Sequence, residues 1–219
     1  MRKVFWDKPY QHTLSTTVAR VDGNQVLFNE TIAYSFAGGQ ESDVATVNDI
    51  PITGSTMTDN LIYYTLPEGH GLQVGDSVTM KIDWPRRNRL MRLHFAAELV
   101  LEIVTQNFKL EKVGAHIAEG KSRIDFKADE NISQHLPFIL ERYNAIIAQN
   151  LPIHKDYSDR ATQRRYWKID GFAQVPCGGT HVDTTGEVGL VMLKRERPGK
   201  GIERIEIKLV DLTPASPRN

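Results

Sequence analysis

A β-rich first third, two helix-periodic stretches and a return to strands mark this chain as an α+β protein. Up to about residue 85, short runs rich in β-branched and aromatic residues alternate with gaps that carry Gly or Pro. Thr13–Val21 is followed by the turn signal Asp22-Gly23-Asn24 and by Val26-Leu27-Phe28; Val44–Val47, Leu61–Leu66 and Val78–Ile82 continue the pattern. Several short strands at this spacing predict a small barrel or sandwich. Pro85 closes the region and sets a boundary between a first domain, 1–85, and a second, 86–219.

The second domain opens on a helix from Arg87 to about Asn107. Leu90, Leu93, Ala97, Val100, Leu101 and Val104 recur at steps of three and four, an apolar stripe that faces a core. Two strand-like segments follow, Lys112–Ala118 and Ser122–Phe126. Asn131 or Ser133 can cap a second helix that reaches about Gln149 and turns Leu136, Ile139, Leu140, Tyr143 and Ile147 inward. A short helix is expected between Asp159 and Tyr166. Strands return at Gly189–Lys194 and Arg204–Leu209, joined by the loop Pro198-Gly199-Lys200-Gly201. The tail from Thr213 to Asn219 carries two prolines and is expected to fray.

Composition narrows the setting. Hydrophobic residues make up 40% and charged residues 25%, the mixture of a soluble globular protein. No apolar run approaches the roughly 20 residues needed to cross a bilayer. The start, Met1-Arg2-Lys3-Val4-Phe5-Trp6-Asp7, meets an acid and then a proline before a signal-peptide core could form, so a cytoplasmic protein is expected. The formal net charge is zero, which gives no support to a general nucleic-acid binder. Any RNA contact must come from local groups such as Arg86, Arg87, Arg89 and Arg92, or Arg160, Arg164, Arg165 and Lys168, or Lys194, Arg195, Arg197 and Lys200. The single cysteine, Cys177, excludes an internal disulfide and leaves a buried small residue, a nucleophile or a metal ligand.

Two pairs of residues carry chemistry. His94 and Glu98 are four apart on the first helix, so both project from one face. Cys177 and His181 are also four apart, inside Pro176-Cys177-Gly178-Gly179-Thr180-His181-Val182, where the glycines let the backbone turn tightly. A His-x-x-x-Glu pair is usually a surface pair, and a lone cysteine is usually buried. Yet thiolate, imidazole and carboxylate are all zinc ligands, and the two pairs together would complete a tetrahedron of His94, Glu98, Cys177 and His181.

Cys177-Gly178-Gly179-Thr180-His181-Val182, continued by Thr185-Gly186-Glu187-Val188-Gly189, resembles the signature of the alanyl-tRNA synthetase editing domain and its freestanding relatives. Three other stretches agree in order: Met91-Arg92-Leu93-His94, at the start of the zinc helix; the hairpin-like Glu119–Phe126; and Phe36–Asp43, similar to the glycine-rich loop of the family's N-terminal barrel. The resemblance implies a small N-terminal β barrel followed by an α+β editing domain with a mainly antiparallel sheet. It implies a zinc-dependent deacylase that hydrolyses mischarged tRNA, chiefly seryl-tRNA of the alanine tRNA. The partner implied is the tRNA acceptor end; ATP and a membrane are not expected, and no obligate protein partner is evident. Gln40 and Thr180 are carried over as polar groups that could read the serine hydroxyl, Gly38 and Gly39 as loop residues against the substrate, and Arg164 and Arg165 as acceptor-stem contacts. The chain departs from the family at the helix, which there reads His-x-x-x-His. Glu98 replaces the second histidine, and Phe95 replaces a usual threonine. Glu98 is expected either to ligate zinc or to hold a water beside it as a base. A carboxylate and a thiolate would neutralise Zn²⁺, which favours substrate positioning over carbonyl polarisation. The departure also motivates a non-catalytic tRNA-binding module, and the neutral charge a zinc hydrolase of small molecules.

Overall fold

A computed structural model describes residues 1–210, so the prolines of the expected frayed tail lie outside the described residues. The chain forms two compact units. Of the described residues, one comprises Met1–Ala37 and Glu41–Asn88; the other comprises Gly38–Gln40 and 89–210.

The first unit contains β1 (Arg2–Lys3), α1 (Val4–Asp7), β2 (Thr13–Asp22), β3 (Gln25–Phe28), β4 (Glu30–Thr31), β5 (Ala45–Val47), β6 (Ile50–Pro51), β7 (Gly54–Thr58), β8 (Leu61–Thr65) and β9 (Ser77–Ile82). Seven of these strands form one antiparallel sheet in the order β6-β5-β9-β2-β3-β8-β7, with β6 and β7 at its ends. The long β2 holds it together: Thr13–Thr17 pair with β9, whereas Val18–Asp22 pair with β3 across a register shift between Val18 and Arg20. Two tight hairpins place Asn48-Asp49 and Asp59-Asn60 at positive φ, the left-handed pairs that two-residue hairpin turns require. The inward positions Val18, Val26, Phe28, Val47, Ile62, Tyr64, Val78 and Met80 alternate with half-buried or exposed neighbours and make the core. The short strands β1, β4, β6 and β7 escape the sequence pattern because two to five residues carry no measurable alternation.

Polar groups inside this unit are paired. Arg87 and Asp43 are both fully buried; Arg87 Nε donates to Asp43 Oδ1 at 2.9 Å, and the guanidinium also donates to the carbonyls of Pro9 (3.1 Å) and Ile32 (2.6 Å). The Tyr34 N–H donates to Asp43 Oδ2 at 2.6 Å. Arg87 is therefore a structural cation.

The helix α2 (Trp84–Phe108) starts in the first unit and belongs to the second from Arg89. It begins three residues before the expected start. Asp83 caps it through the Arg86 N–H (3.1 Å), and Pro85 sits in the first turn, where its missing N–H is not needed. The expected single stripe is also corrected. Every residue from Leu90 to Ala97 is buried, including Met91, Phe95 and Ala96, so α2 is covered all round there. No helix of the described residues is long and apolar enough to cross a membrane.

The second unit continues with β10 (Glu111–Ile117), β11 (Ser122–Lys127), a 3₁₀ turn (Ile132–His135), α3 (Leu136–Gln149), β12 (His154–Asp159), β13 (Arg164–Ile169), β14 (Ala173–Pro176), α4 (Thr185–Val188), β15 (Val191–Gly199) and β16 (Ile202–Leu209). Asn131 caps the 3₁₀ turn through the Ser133 N–H (2.9 Å), and Asn150 closes α3 in the left-handed conformation. Two antiparallel sheets result, β10-β11-β16-β15 and β12-β13-β14. The α+β architecture with antiparallel sheets is as expected. The short helix expected between Asp159 and Tyr166 is instead a hairpin turn. Asp159 accepts the N–H groups of Ala161 (2.9 Å) and Thr162 (3.2 Å) and so ties the turn that joins β12 to β13.

Asp43→Ala leaves a buried guanidinium without its counter-charge and should lower the unfolding free energy by about 3–5 kcal/mol. Asp49→Asn, which removes the charge of the exposed pair with Lys81 and keeps a residue that tolerates the left-handed turn, should cost at most about 1 kcal/mol. Urea denaturation of the two variants gives the comparison.

Candidate metal and substrate site

The second unit gathers the residues singled out by spacing. His94 and Glu98 come from α2, one turn apart. Cys177 and His181 come from the loop between β14 and α4, and Gln40 from the three-residue segment Gly38–Gln40. That segment lies against β10: the Ile117 N–H donates to the Gly39 carbonyl at 2.8 Å, and Gln40 bridges Ile117. Gly39 has φ +89°, and a Cβ there would stand 2.7 Å from the Ala115 carbonyl oxygen. Only glycine allows this approach, which carries Gln40 to His94.

His94, Cys177 and His181 each offer a ligand atom, and the three atoms lie within 4.8 Å of one another. Cys177 Sγ is 3.5 Å from His94 Nε2 and 3.3 Å from His181 Nε2. Ligands of one tetrahedral zinc stand about 3.3–3.6 Å apart when Zn–N is about 2.0–2.1 Å and Zn–S about 2.3 Å. The donor set therefore fits the ion. Glu98 Oε1 lies 3.3 Å from His94 Nε2 and 3.8 Å from Cys177 Sγ, beside the cluster, but the donors that lie within 4.8 Å of one another are His94, Cys177 and His181 without it, so the expected four-residue set is reduced to three.

The electrostatics ask for positive charge at the centre. Burial disfavours a charged His94, but the Cys177 sulfur and the Glu98 carboxylate outweigh it and push its pKa up to about 10. Burial raises Glu98, yet His94 and the Trp167 N–H outweigh that and hold its carboxyl below the usual range. His181 is driven well below the ordinary histidine range by burial and by the charges of His94, Lys155 and Arg165. The cluster thus holds one neutral imidazole and one that stays protonated beside the Glu98 carboxylate. A divalent cation can take the place of that proton.

Gln40 fixes His94. Its Oε1 accepts from His94 Nδ1 at 2.6 Å and from the Thr180 N–H at 3.2 Å, while its Nε2 donates to Thr180 Oγ1 at 2.9 Å. Because the Thr180 backbone can only donate, the orientation of the amide follows, and His94 must carry its proton on Nδ1 and turn Nε2 inward. Gln40 and Thr180 are almost wholly buried. The sequence marked both as polar groups near the site; the structure joins them to each other and to His94.

Trp167 and Lys155 escaped the sequence reading, and Phe95 was marked there only as a departure from the family helix. Trp167 donates from Nε1 to Glu98 Oε2 at 3.0 Å. Phe95 packs edge-on against Trp167 and His181, at 5.1 and 5.5 Å between ring centroids. Lys155 donates to the carbonyls of His181 (3.4 Å) and Val182 (3.2 Å) and pairs with Asp183, which anchors the ligand loop. The two-residue alternation of β13, which turns Arg165, Trp167 and Ile169 inward, was the available signal.

The same alternation separates the two expected stem contacts. Arg164 is exposed, whereas Arg165 is buried over the Tyr157 ring, 4.4 Å from its centroid. The other basic groups are largely committed: Arg86 pairs with Glu41, Arg92 donates to the Val188 carbonyl, Arg160 pairs with Asp156, Lys168 with Asp170 and Arg195 with Glu203.

Comparison with known proteins places this site in a class and then beside particular relatives. A family profile described as "Threonyl and Alanyl tRNA synthetase second additional domain" matches residues 168–206, the segment that holds Cys177, Thr180 and His181. The chain is 29% identical to the alanyl-tRNA editing protein AlaX-M of Pyrococcus horikoshii over 95% of this chain and 97% of that protein. It is 26% identical to the AlaX-M protein of Methanosarcina mazei, over 92% and 94% of the two chains. An alanine–tRNA ligase of Methanococcus maripaludis is 26% identical over 93% of this chain, which spans only 25% of the ligase. The expected resemblance to freestanding alanyl-tRNA editing proteins thus holds over nearly the whole length.

A Cβ at Gly179 would fall inside the His94 ring and stand 2.9 Å from Gln40 Oε1, whereas nothing lies within 4 Å of a Cβ at Gly178. Gly179→Ala should therefore displace His94 and cut zinc uptake well below one ion per chain. Gly178→Ala should keep it near one, as metal analysis after zinc loading can show.

Proposed function

We propose that this chain is an aminoacyl-tRNA deacylase that clears mischarged alanine tRNA, above all its seryl form, with zinc held by His94, Cys177 and His181. The observation that carries this reading is the end-to-end match with a protein named for alanyl-tRNA editing. Support comes from the mutual approach of three zinc-type donors inside the matched region. The substrate is the ester between an amino acid and the terminal ribose of tRNA, and the setting is the cytoplasm.

Zinc, when bound, supplies a fixed positive charge that binds and orients the ester. The protein's own groups do the rest. Gln40 keeps His94 Nε2 turned inward. Glu98 Oε1 lies beside His94 and Cys177, where it serves as a fourth ligand or as the base that takes a proton from an attacking water. Thr180 is the group with a donor to spare. Its Oγ1 accepts from Gln40, so its own O–H can point to the side chain of the aminoacyl group. Gln40 Oε1 already accepts two N–H groups, which makes Gln40 the holder and Thr180 the reader of a serine hydroxyl. A site built to bond a hydroxyl rejects the analogue that lacks it, because the buried partner is left unpaired.

A panel of mischarged tRNAs tests this. Seryl-tRNA of the alanine tRNA should release serine, alanyl-tRNA should persist, and Cys177→Ala or a strong chelator should abolish release. Thr180→Val should compress the seryl-to-alanyl ratio by about tenfold or more, the worth of one buried hydrogen bond. A wild-type protein that binds these tRNAs and cleaves none would be the non-catalytic module that Glu98 suggests. Cleavage confined to small esters would mark a small-molecule hydrolase.

Exposed Arg164 is the stem contact favoured by its placement. Its replacement by alanine should reduce the slope of log affinity against log salt by about one. An unchanged slope leaves Arg164 an ordinary surface residue.

A further inference from the structure

Glu98 divides its two oxygens. Oε1 turns to His94 Nε2 and Cys177 Sγ, at 3.3 and 3.8 Å. Oε2 accepts the indole N–H of Trp167 at 3.0 Å. We propose that Trp167 is the positioning residue of Glu98, tying up one carboxylate oxygen so that the other alone is turned toward His94 and Cys177 at the edge of the donor cluster. The inference rests on the zinc reading above.

An indole N–H is a donor only, and inside a protein it must find an acceptor. Trp167 is fully buried, so it has no recourse to bulk water. Its backbone is fixed on both sides, since β13 is the middle strand and Trp167 stands opposite Lys155 and Val175. Its ring is held by Phe95, 5.1 Å away and nearly perpendicular at 66°. A side chain so constrained does not follow the carboxylate; the carboxylate follows it. Both positions at which the helix departs from the family pattern, Phe95 and Glu98, touch this indole. The exchange of imidazole for carboxylate is thereby matched to its neighbour. A free carboxylate could chelate an ion with both oxygens or swing to solvent, and the indole bond prevents both. Groups that orient a ligand in this way typically change metal affinity by about 10–100-fold.

The test is a double-mutant cycle on the full chain. Zinc affinity is measured by competition with a coloured chelator, and the absorption spectrum of the cobalt-loaded protein reports ligand geometry. Trp167→Phe keeps an aromatic ring and removes the N–H. It should weaken zinc about 10–100-fold and shift the cobalt bands. In a Glu98→His background, with no carboxylate to hold, the same change should alter affinity by less than about twofold. Equal losses in both backgrounds would show that the indole only packs, and would overturn the proposal. So would unchanged zinc affinity and cobalt bands in Trp167→Phe, which leaves the zinc reading intact. A wild-type chain that takes up no zinc overturns the zinc reading and this inference together. Should phenylalanine prevent folding, benzothienyl-alanine at the same position keeps the two-ring shape without the N–H and permits the same comparison.

Discussion

A thiol and two imidazoles converge with a carboxylate beside them, and that largely buried arrangement favours positive charge on His94. Burial weakens screening by solvent, so a proton on His94 or a cation in its place is favoured beside the Glu98 carboxylate. The surrounding structure answers this constraint. Gly39 lets a loop lie flat on β10 so that Gln40 reaches His94. Gly179 leaves room for the His94 ring. Lys155 grips the backbone on the far side of His181 and keeps its own charge directed at carbonyls and Asp183. Every one of these groups acts on orientation, which is what a positioning role for bound metal requires.

The centre of the site was legible because its chemistry is written in spacing. Two residues four apart on a helix share a face whatever surrounds them, and two residues four apart across paired glycines can converge. His94, Cys177 and His181 needed no more than that. What could not be read was the ring of neighbours. Trp167 reaches Glu98 across 69 residues of sequence, and no local pattern encodes such a distance. A helix assigned across Asp159–Tyr166 also hid the alternation that would have turned Trp167 inward. In the fold, the α+β class followed from periodicity, but the burial of α2 on all sides did not. Leu90–Val104 satisfies a single stripe equally well, yet Met91, Phe95 and Ala96, which lie outside the expected stripe, are buried too.

Charge tells a related story. A net charge of zero coexists with three clusters of Lys and Arg, each of which resembles a nucleic-acid contact in sequence. In the folded chain most of these cations face an acid or a carbonyl of the same molecule. Arg87 with Asp43 is the extreme case, since both lie wholly inside. Clustering in sequence measures how many cations are close; only the fold measures how many carry an uncommitted field.

The separation of the site's parts along the chain also bears on how the protein is made. Cys177 lies 83 residues after His94, and Thr180 lies 140 after Gln40. At about 5–20 residues per second, a ribosome needs roughly 4–17 s to progress from His94 to the thiol. During that interval His94 and Glu98 exist on a nascent helix with neither cysteine nor indole to meet them. The donor cluster is therefore completed late in synthesis, and a chain stalled before Cys177 carries His94 alone of its three donors.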